Sequence, residues 1–227
     1  MSVTIWNNCG FLLTESKWVV VCTDMKVDLP QGNFEAYIFD CDGTLVDSMP
    51  LHLEAWNHGL RSAGADWDLP IDYFYASAGK SLDQVVSELN VRYAGSLLAE
   101  KVGSFKEEYY HKKISTLQAF PDVVTHLEEA YKRGLPVAVA SGSARFAVEK
   151  SLEVTGLLDW IDVIVAAEDV TRGKPAPDCF LLAAERLGVN PRNCLVFEDG
   201  VAGLQAAEVC GMSTVEVDAQ RGVALKA

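Results

Sequence analysis

The sequence F-D-C-D-G-T-L-V-D-S at residues 39–48 decides the fold of this 227-residue chain. It follows a short apolar run, Ala36–Phe39, and carries two carboxylates, Asp40 and Asp42, just before a Gly-Thr turn. In an extended strand, residues i and i+2 point to the same side, so the end of this run can present both carboxylates to one pocket. Taken alone, such a pair could also bind calcium or cap a turn, and the rest of the chain has to decide.

The composition is that of a globular protein with one sizeable core, or a core with a small second domain. Apolar residues make up 49% and charged residues 22%, and the formal net charge of −13 argues against binding nucleic-acid phosphates. No apolar run approaches the ~20 residues of a membrane span. Six cysteines without paired metal spacing predict reduced thiols and a cytoplasmic location. We expect a monomer or weak homodimer that binds neither nucleic acid nor membrane.

Short apolar runs that alternate with helical patterns predict the main fold. Helical spacing is seen at Val123, Val124, Leu127 and Ala130, and Gly134 follows where that helix should end. This alternation is typical of βαβ units, so we predict an α/β fold with a Rossmann-like parallel sheet covered on both faces. The strand-like runs lie at residues 36–39, 137–140, 163–166, 194–197 and 214–217.

One long segment interrupts this alternation with helical patterns alone. It contains two apolar stripes at helical spacing: Leu82, Val85, Val86 and Leu89, then Leu98, Val102, Phe105 and Tyr109. We therefore predict an inserted α-helical cap domain at residues 49–117 and a core made of residues 33–48 and 118–227. The connections at residues 46–49 and 118–120 are the expected hinges.

The N-terminal residues 1–32 form an extension whose structure the sequence leaves open. Two short apolar stretches, at residues 11–13 and 18–22, are compatible with an added hairpin or with a loose extension. Met25 is a second possible start of the chain.

Polar groups follow four of the predicted strands, where ligands bind in open parallel sheets. Carboxylates suit a metal ion, whereas a hydroxyl and an ammonium group suit an anion. The four groups are Asp40 with Asp42, Ser141-Gly142-Ser143, the sequence G-K-P-A-P-D at residues 173–178, and Glu198-Asp199.

These four motifs, in this order, resemble those of the haloacid dehalogenase superfamily of aspartate-nucleophile phosphotransferases. The resemblance covers about residues 36–217, and the helical insertion resembles the α-helical cap of the β-phosphoglucomutase-like subgroup. It implies a Mg²⁺-dependent phosphatase that acts on a small phosphorylated metabolite, with a sugar phosphate as the leading candidate. A β-phosphoglucomutase is the alternative, and a non-catalytic binding protein on the same fold is a more distant one.

The resemblance also assigns catalytic and metal-binding roles. Asp40 would be the nucleophile that becomes an aspartyl-phosphate, and Asp42 would be the general acid and base. Lys174 would neutralise the phosphoryl group and steady Asp40. Mg²⁺ would be held by Asp40, the backbone carbonyl of Asp42, Asp199 and, in or just beyond the ligand shell, Glu198.

Substrate contacts are implied less directly. His52 matches a histidine at the cap hinge, and Lys80 lies where family members place specificity residues, whereas Trp56 is interpreted as cap core. Residues 76–82 lack the arginine with which a mutase cap grips a second phosphate, which weakens the mutase alternative. The residues implied in phosphate or substrate binding are Thr44, Ser141, Gly142, Ser143, His52 and Lys80.

Overall fold

The computed structural model describes residues 27–77 and 80–217 in full, together with the backbone of three N-terminal strands. These strands are β1 (Ile5–Trp6), β2 (Cys9–Thr14) and β3 (Lys17–Cys22), and they form an antiparallel sheet in the order β1-β2-β3. The possible start at Met25 lies outside the described residues. The extent and role of the N-terminal extension stay a prediction.

The central sheet has five parallel strands in the order β6-β5-β4-β7-β8. The strand that precedes the first motif, β4, is therefore central, and its neighbours on both sides carry later motifs. The predicted α/β fold with a parallel sheet is confirmed. The strands are β4 (Ala36–Phe39), β5 (Val137–Ala140), β6 (Val163–Val165), β7 (Cys194–Glu198) and β8 (Ser213–Glu216).

The described part of the predicted cap segment, residues 49–117, contains four α-helices and no strand. At the start of α3, Ser81 and Gln84 form a reciprocal capping box, which satisfies two backbone amides. The exact division between cap and core stays a prediction. The helices are α1 (Met49–Ala63), α2 (Ile71–Ala76), α3 (Leu82–Arg92) and α4 (Ala99–Lys113).

The apolar stripe predicted for α4 is partly wrong. Leu98 precedes the helix and is 61% exposed, whereas Tyr110, which the stripe omitted, is 4% exposed. The reason is that α1 crosses α4 closely at Gly59, where a side chain would collide with the backbone oxygen of Val102. This crossing selects the face of α4 that carries Val102 and Tyr110.

The two faces of the sheet are covered by different helices, as the alternation along β4 requires. Tyr37 and Phe39 point into a cluster with α5 (Pro121–Lys132) and α6 (Arg145–Val154). Ala36 and Ile38 point to the opposite face, which α7 (Asp178–Leu187) and α8 (Val201–Val209) cover. Across the described residues, no helix has the length and apolarity needed to cross a membrane. Single 3₁₀ turns occur at Ile114–Thr116, Leu158–Trp160, Ala167–Asp169 and Pro191–Asn193.

The helical segment has two separate apolar clusters. Its outer part packs around Leu60, Leu89 and Val102, whereas the part near the sheet, including Ala55 and Tyr110, belongs to the core cluster. The two connections to the core also bind one another, because the amide of Asp47 donates to the oxygen of Gln118 at 2.9 Å. Any cap movement therefore has to act on both connections together.

Candidate active site

The carboxyl ends of the central strands place the motif residues along one edge of the sheet. The amide of Asp40 donates to the oxygen of Phe197 on β7 at 2.9 Å, and the amide of Ser141 donates to Val165 on β6 at 2.9 Å. These backbone bonds continue the sheet by one residue beyond its strands. Residues at this edge are therefore positioned by rigid backbone.

Lys174 connects three parts of this edge. Its Nζ donates to Asp40 Oδ1 at 2.6 Å, to Glu198 Oε2 at 2.7 Å and to the backbone oxygen of Ala140 at 3.0 Å. Burial alone would lower the pKa of Lys174, but Asp40 and then Glu198 outweigh it, so the pKa lies above its usual value. The ammonium group is thus a permanent charge beside Asp40.

Three carboxylates crowd around that single ammonium group. Oxygen atoms of Asp40, Glu198 and Asp199 lie within 4.8 Å of one another. Burial, followed by the charge of Glu198, raises the pKa of Asp40 well above its usual range and that of Asp199 to about 6. When ionised, the cluster has an excess of two negative charges over Lys174. Oxygen ligands with this charge fit a divalent cation such as Mg²⁺ or Ca²⁺.

A glycine and a threonine hold one of these carboxylates in place. Gly43 has a φ of +88°, and a side chain at this position would overlap the carboxylate of Asp199. Thr44, which is buried, donates from Oγ1 to Asp199 Oδ1 at 2.8 Å. In this structure Thr44 therefore orients a carboxylate of the acidic cluster, and its phosphate contact stays a prediction.

Asp42 has a different environment although it is only two residues from Asp40. Its carboxylate accepts hydrogen bonds from Ser48 Oγ and Ser143 Oγ, both at 2.6 Å, and lies 3.2 Å from His52 Nε2. Burial alone would raise the pKa of Asp42, but His52 and then the two serines outweigh it, so the pKa lies well below its usual range. Asp42 is therefore held as the anion, joined to core and cap at once.

The serines after β5 form a compact loop beside Asp42. Ser141 Oγ accepts from the amide of Ser143 at 3.0 Å and donates to Asp42 Oδ2 at 3.4 Å. Gly142 between them is exposed. The structure thus brings the loop hydroxyls and the first motif together, as the strand order predicts.

Four cap side chains line the crossing of α1 and α4 above Asp42. The His52 ring stacks on that of Tyr110 with centroids 4.4 Å apart, and one turn further along both helices Lys106 Nζ lies 5.6 Å from the Trp56 ring centroid. We call His52, Trp56, Lys106 and Tyr110 the α1–α4 seam. Burial lowers the pKa of Lys106, opposed by the charges of Glu107 and Asp42, so its ammonium lies within electrostatic range of the site.

Tyr75 and Lys106 were missed by the sequence analysis. Burial, then the charges of Asp199 and Asp47, raises the pKa of Tyr75, so this side chain of α2 lies within electrostatic range of the site. The spacing of Lys106 and Tyr110, four apart on one helix face, was the available signal.

Lys80 was predicted to bind the substrate from the cap, but in the structure it pairs with other cap residues. Its Nζ lies 2.7 Å from Glu88 Oε2 and 5.7 Å from the ring centroid of Tyr73. Its role toward substrate stays a prediction.

Comparisons with known proteins agree with this geometry. The family model for haloacid dehalogenase-like hydrolases matches residues 34–211. The chain is 35% identical over 188 residues to fructose-1-phosphate phosphatase YqaB of Escherichia coli (strain K12), covering 81% of this chain and 96% of that protein. It is 31% identical to hexitol phosphatase A of the same organism, covering 82% and 83%. A solved structure of β-phosphoglucomutase from Clostridium difficile superposes with a TM-score of 0.72 at 27% identity, covering 84% of this chain and 87% of that one.

Proposed function

The chain belongs to the haloacid dehalogenase-like hydrolase family, and we propose that it is a Mg²⁺-dependent phosphatase of small sugar phosphates. The observation that carries the proposal is the cluster in which Lys174 bridges Asp40 and Glu198 at 2.6 and 2.7 Å, with Asp199 alongside. A carboxylate beside a fixed ammonium group and an unneutralised acidic cluster is suited to attack a phosphate once a cation is bound.

In this proposal, Asp40 attacks the phosphorus atom and the bond to the sugar oxygen breaks, leaving an aspartyl-phosphate on Asp40. Lys174 orients Asp40 and, with Ser141, binds the phosphoryl oxygens. Asp40 and Asp199, with the carbonyl of Asp42 and with Glu198 in or just beyond the ligand shell, would hold Mg²⁺. When bound, the cation neutralises charge, so that an anionic nucleophile can approach an anionic phosphate.

Asp42 would carry the proton in both steps. As the anion, it is ready to take a proton from the water that hydrolyses the aspartyl-phosphate. As an acid, it must first be protonated, and the negative charge of an arriving phosphate group favours that form. Because Ser48, His52 and Ser143 all contact it, the supply of this proton depends on where the cap lies.

The sugar would lie between the sheet edge and the cap. Fructose-1-phosphate phosphatase and hexitol phosphatase among the relatives support phosphates of sugars and sugar alcohols. On the cap, Lys106 and Tyr75 lie within electrostatic range of Asp42 and Asp199, and an ammonium and a phenol there suit hydrogen bonds to sugar hydroxyls.

A β-phosphoglucomutase is the second candidate, supported by the structural match to that enzyme. It would use the same aspartyl-phosphate but return the phosphate to a sugar hydroxyl in place of water. The absence of an arginine from residues 76–82 counts against a grip on a second phosphate.

The test is a panel of phosphorylated sugars, sugar alcohols and p-nitrophenyl phosphate, with release of inorganic phosphate and conversion of hexose 1-phosphates to 6-phosphates measured side by side. We expect phosphate release that EDTA abolishes and Mg²⁺ restores. Interconversion without phosphate release would establish the mutase. Full activity after exhaustive chelation would refute the role of the acidic cluster.

A further inference from the structure

Tyr110 is a buried residue that has no role in the reaction proposed above. It lies on α4, its side chain is 4% exposed, and its ring is nearly parallel to the His52 imidazole, with an interplanar angle of 14° and centroids 4.4 Å apart. The other edge of that imidazole is 3.2 Å from Asp42. Ring stacking and one hydrogen bond thus connect Tyr110 on the cap, through His52, to Asp42 in the first motif.

The position of Tyr110 is fixed from two sides. On the cap, α1 and α4 are in close contact at Gly59, where a side chain would collide with the backbone oxygen of Val102, and this crossing sets the face of α4 that carries Tyr110. On the core, the Tyr110 hydroxyl lies 3.5 Å from Ser151 Oγ on α6, and the ring belongs to the core apolar cluster with Ala55 and Ile114. The ring is therefore held while the cap is seated on the core.

The His52 side chain depends on this contact for its orientation. A histidine on a helix has several staggered rotamers, and only some direct Nε2 toward Asp42. A flat ring at stacking distance excludes the rotamers that turn the imidazole toward α4. The same stack leaves the edge that faces Asp42 open.

We propose that Tyr110 is a positioning residue that keeps the His52 imidazole against Asp42 while the cap is seated on the core. The inference rests on the proposed function insofar as Asp42 is the acid and base of the reaction. It predicts that Tyr110 acts on catalysis through His52 alone. When the cap lifts, the contact with Ser151 is lost, and the histidine leaves Asp42 together with α1.

A double-mutant cycle tests this dependence with p-nitrophenyl phosphate and the best sugar phosphate as substrates. His52→Ala and Tyr110→Leu should each lower kcat by roughly 5- to 20-fold with little change in KM, and Tyr110→Leu should have almost no further effect once His52 is replaced. Tyr110→Phe keeps the ring and should retain most of the wild-type kcat. Equal effects of Tyr110→Leu with and without His52, or an unchanged kcat in His52→Ala, would overturn the proposal.

A second readout is independent of turnover. The imidazole NMR signals of His52, assigned by their loss in His52→Ala, should shift in Tyr110→Leu and remain close to wild type in Tyr110→Phe. Tyr110→Met serves if the leucine variant does not fold, because it fills the space without a flat ring. Unchanged His52 signals in both non-aromatic variants would overturn the positioning role. Absence of any phosphate release by the wild-type protein would instead refute the proposed function and leave this measurement decisive.

Discussion

The sheet edge and the α1–α4 seam both contact the first motif, but they are built differently. At the sheet edge, Asp40 and Lys174 are held by parallel strands and by bonds to backbone atoms such as the oxygen of Ala140. In the seam, His52 is held by a ring on another helix. Under the proposed function, the groups that bind the phosphate lie on the rigid sheet edge, and those that face the leaving group lie on the helical segment, where a closing movement is expected.

The boundary between the two regions passes between Asp40 and Asp42. Crowding and burial raise the pKa of Asp40, whereas donors from the hinge, cap and loop lower that of Asp42. In the protein without a bound cation, two identical side chains thus have opposite protonation tendencies, because their surroundings differ. The following predictions separate the contributions of the two regions.

The largest effect is expected at the sheet edge. Asp40→Asn keeps the shape of the side chain but removes its nucleophilic oxygen, so turnover of every substrate should fall by at least ~10³-fold. The folded structure, checked by circular dichroism, should persist. Asp159→Asn, at an exposed position, is the matched control and should be fully active. Near-wild-type phosphate release by Asp40→Asn would show that Asp40 is not the nucleophile.

A smaller loss is expected at the boundary. Asp42→Asn removes the proton carrier, a group typically worth about 10²–10⁴-fold, and should lower kcat for sugar phosphates. With p-nitrophenyl phosphate the first step should suffer less, because nitrophenolate leaves without a proton. A burst of nitrophenolate in rapid-mixing experiments would show the trapped aspartyl-phosphate. Equal losses on both substrates without a burst would contradict the assigned role.

The seam should affect discrimination more than chemistry. Lys106→Met removes the ammonium above Asp42 and should lower kcat/KM for the preferred sugar phosphate by roughly 10- to 100-fold. The value for p-nitrophenyl phosphate should change far less, because its leaving group makes no such contacts. Lys112→Met on the same helix is the control, since that ammonium is 69% exposed and paired with Glu108. A uniform loss on all substrates would show that Lys106 acts in phosphoryl transfer itself and not in substrate discrimination.

The smallest effect concerns stability and pH. In the metal-free protein the pKa of Asp199 is raised to about 6, so its folded form binds a proton more tightly than the unfolded chain. The resulting stabilisation is present at low pH and is lost as the pH rises through about 6. The melting temperature should fall by several degrees on this account, and Asp199→Asn should remove that decrease. Mg²⁺ should raise the melting temperature more above pH 6 than below it, and the reverse order would contradict the metal cluster.

Much of the fold followed from local patterns. The five apolar runs match the five strands of the central sheet within one residue, because each run is short, apolar and bounded by turns, and the three central strands are fully buried. The parallel sheet, the family and its hydrolase class are confirmed. The stripe predicted for α4 wrongly included Leu98 and omitted Tyr110. Helical spacing alone does not show which face of a helix its neighbour will cover.

By itself, the sequence determined that the motifs meet at one edge of the sheet, because residues that follow parallel strands share the edge at their carboxyl ends. Only the tertiary structure decided which cap side chains face that edge. Lys80 is paired with Glu88, whereas Lys106 and Tyr110 pack on Trp56 and His52 of α1, since the close crossing at Gly59 sets the rotation of α4. The tertiary structure also decided the opposite pKa shifts of Asp40 and Asp42. These shifts depend on Lys174 and Ser143, which lie more than a hundred residues away along the chain, as well as on close neighbours.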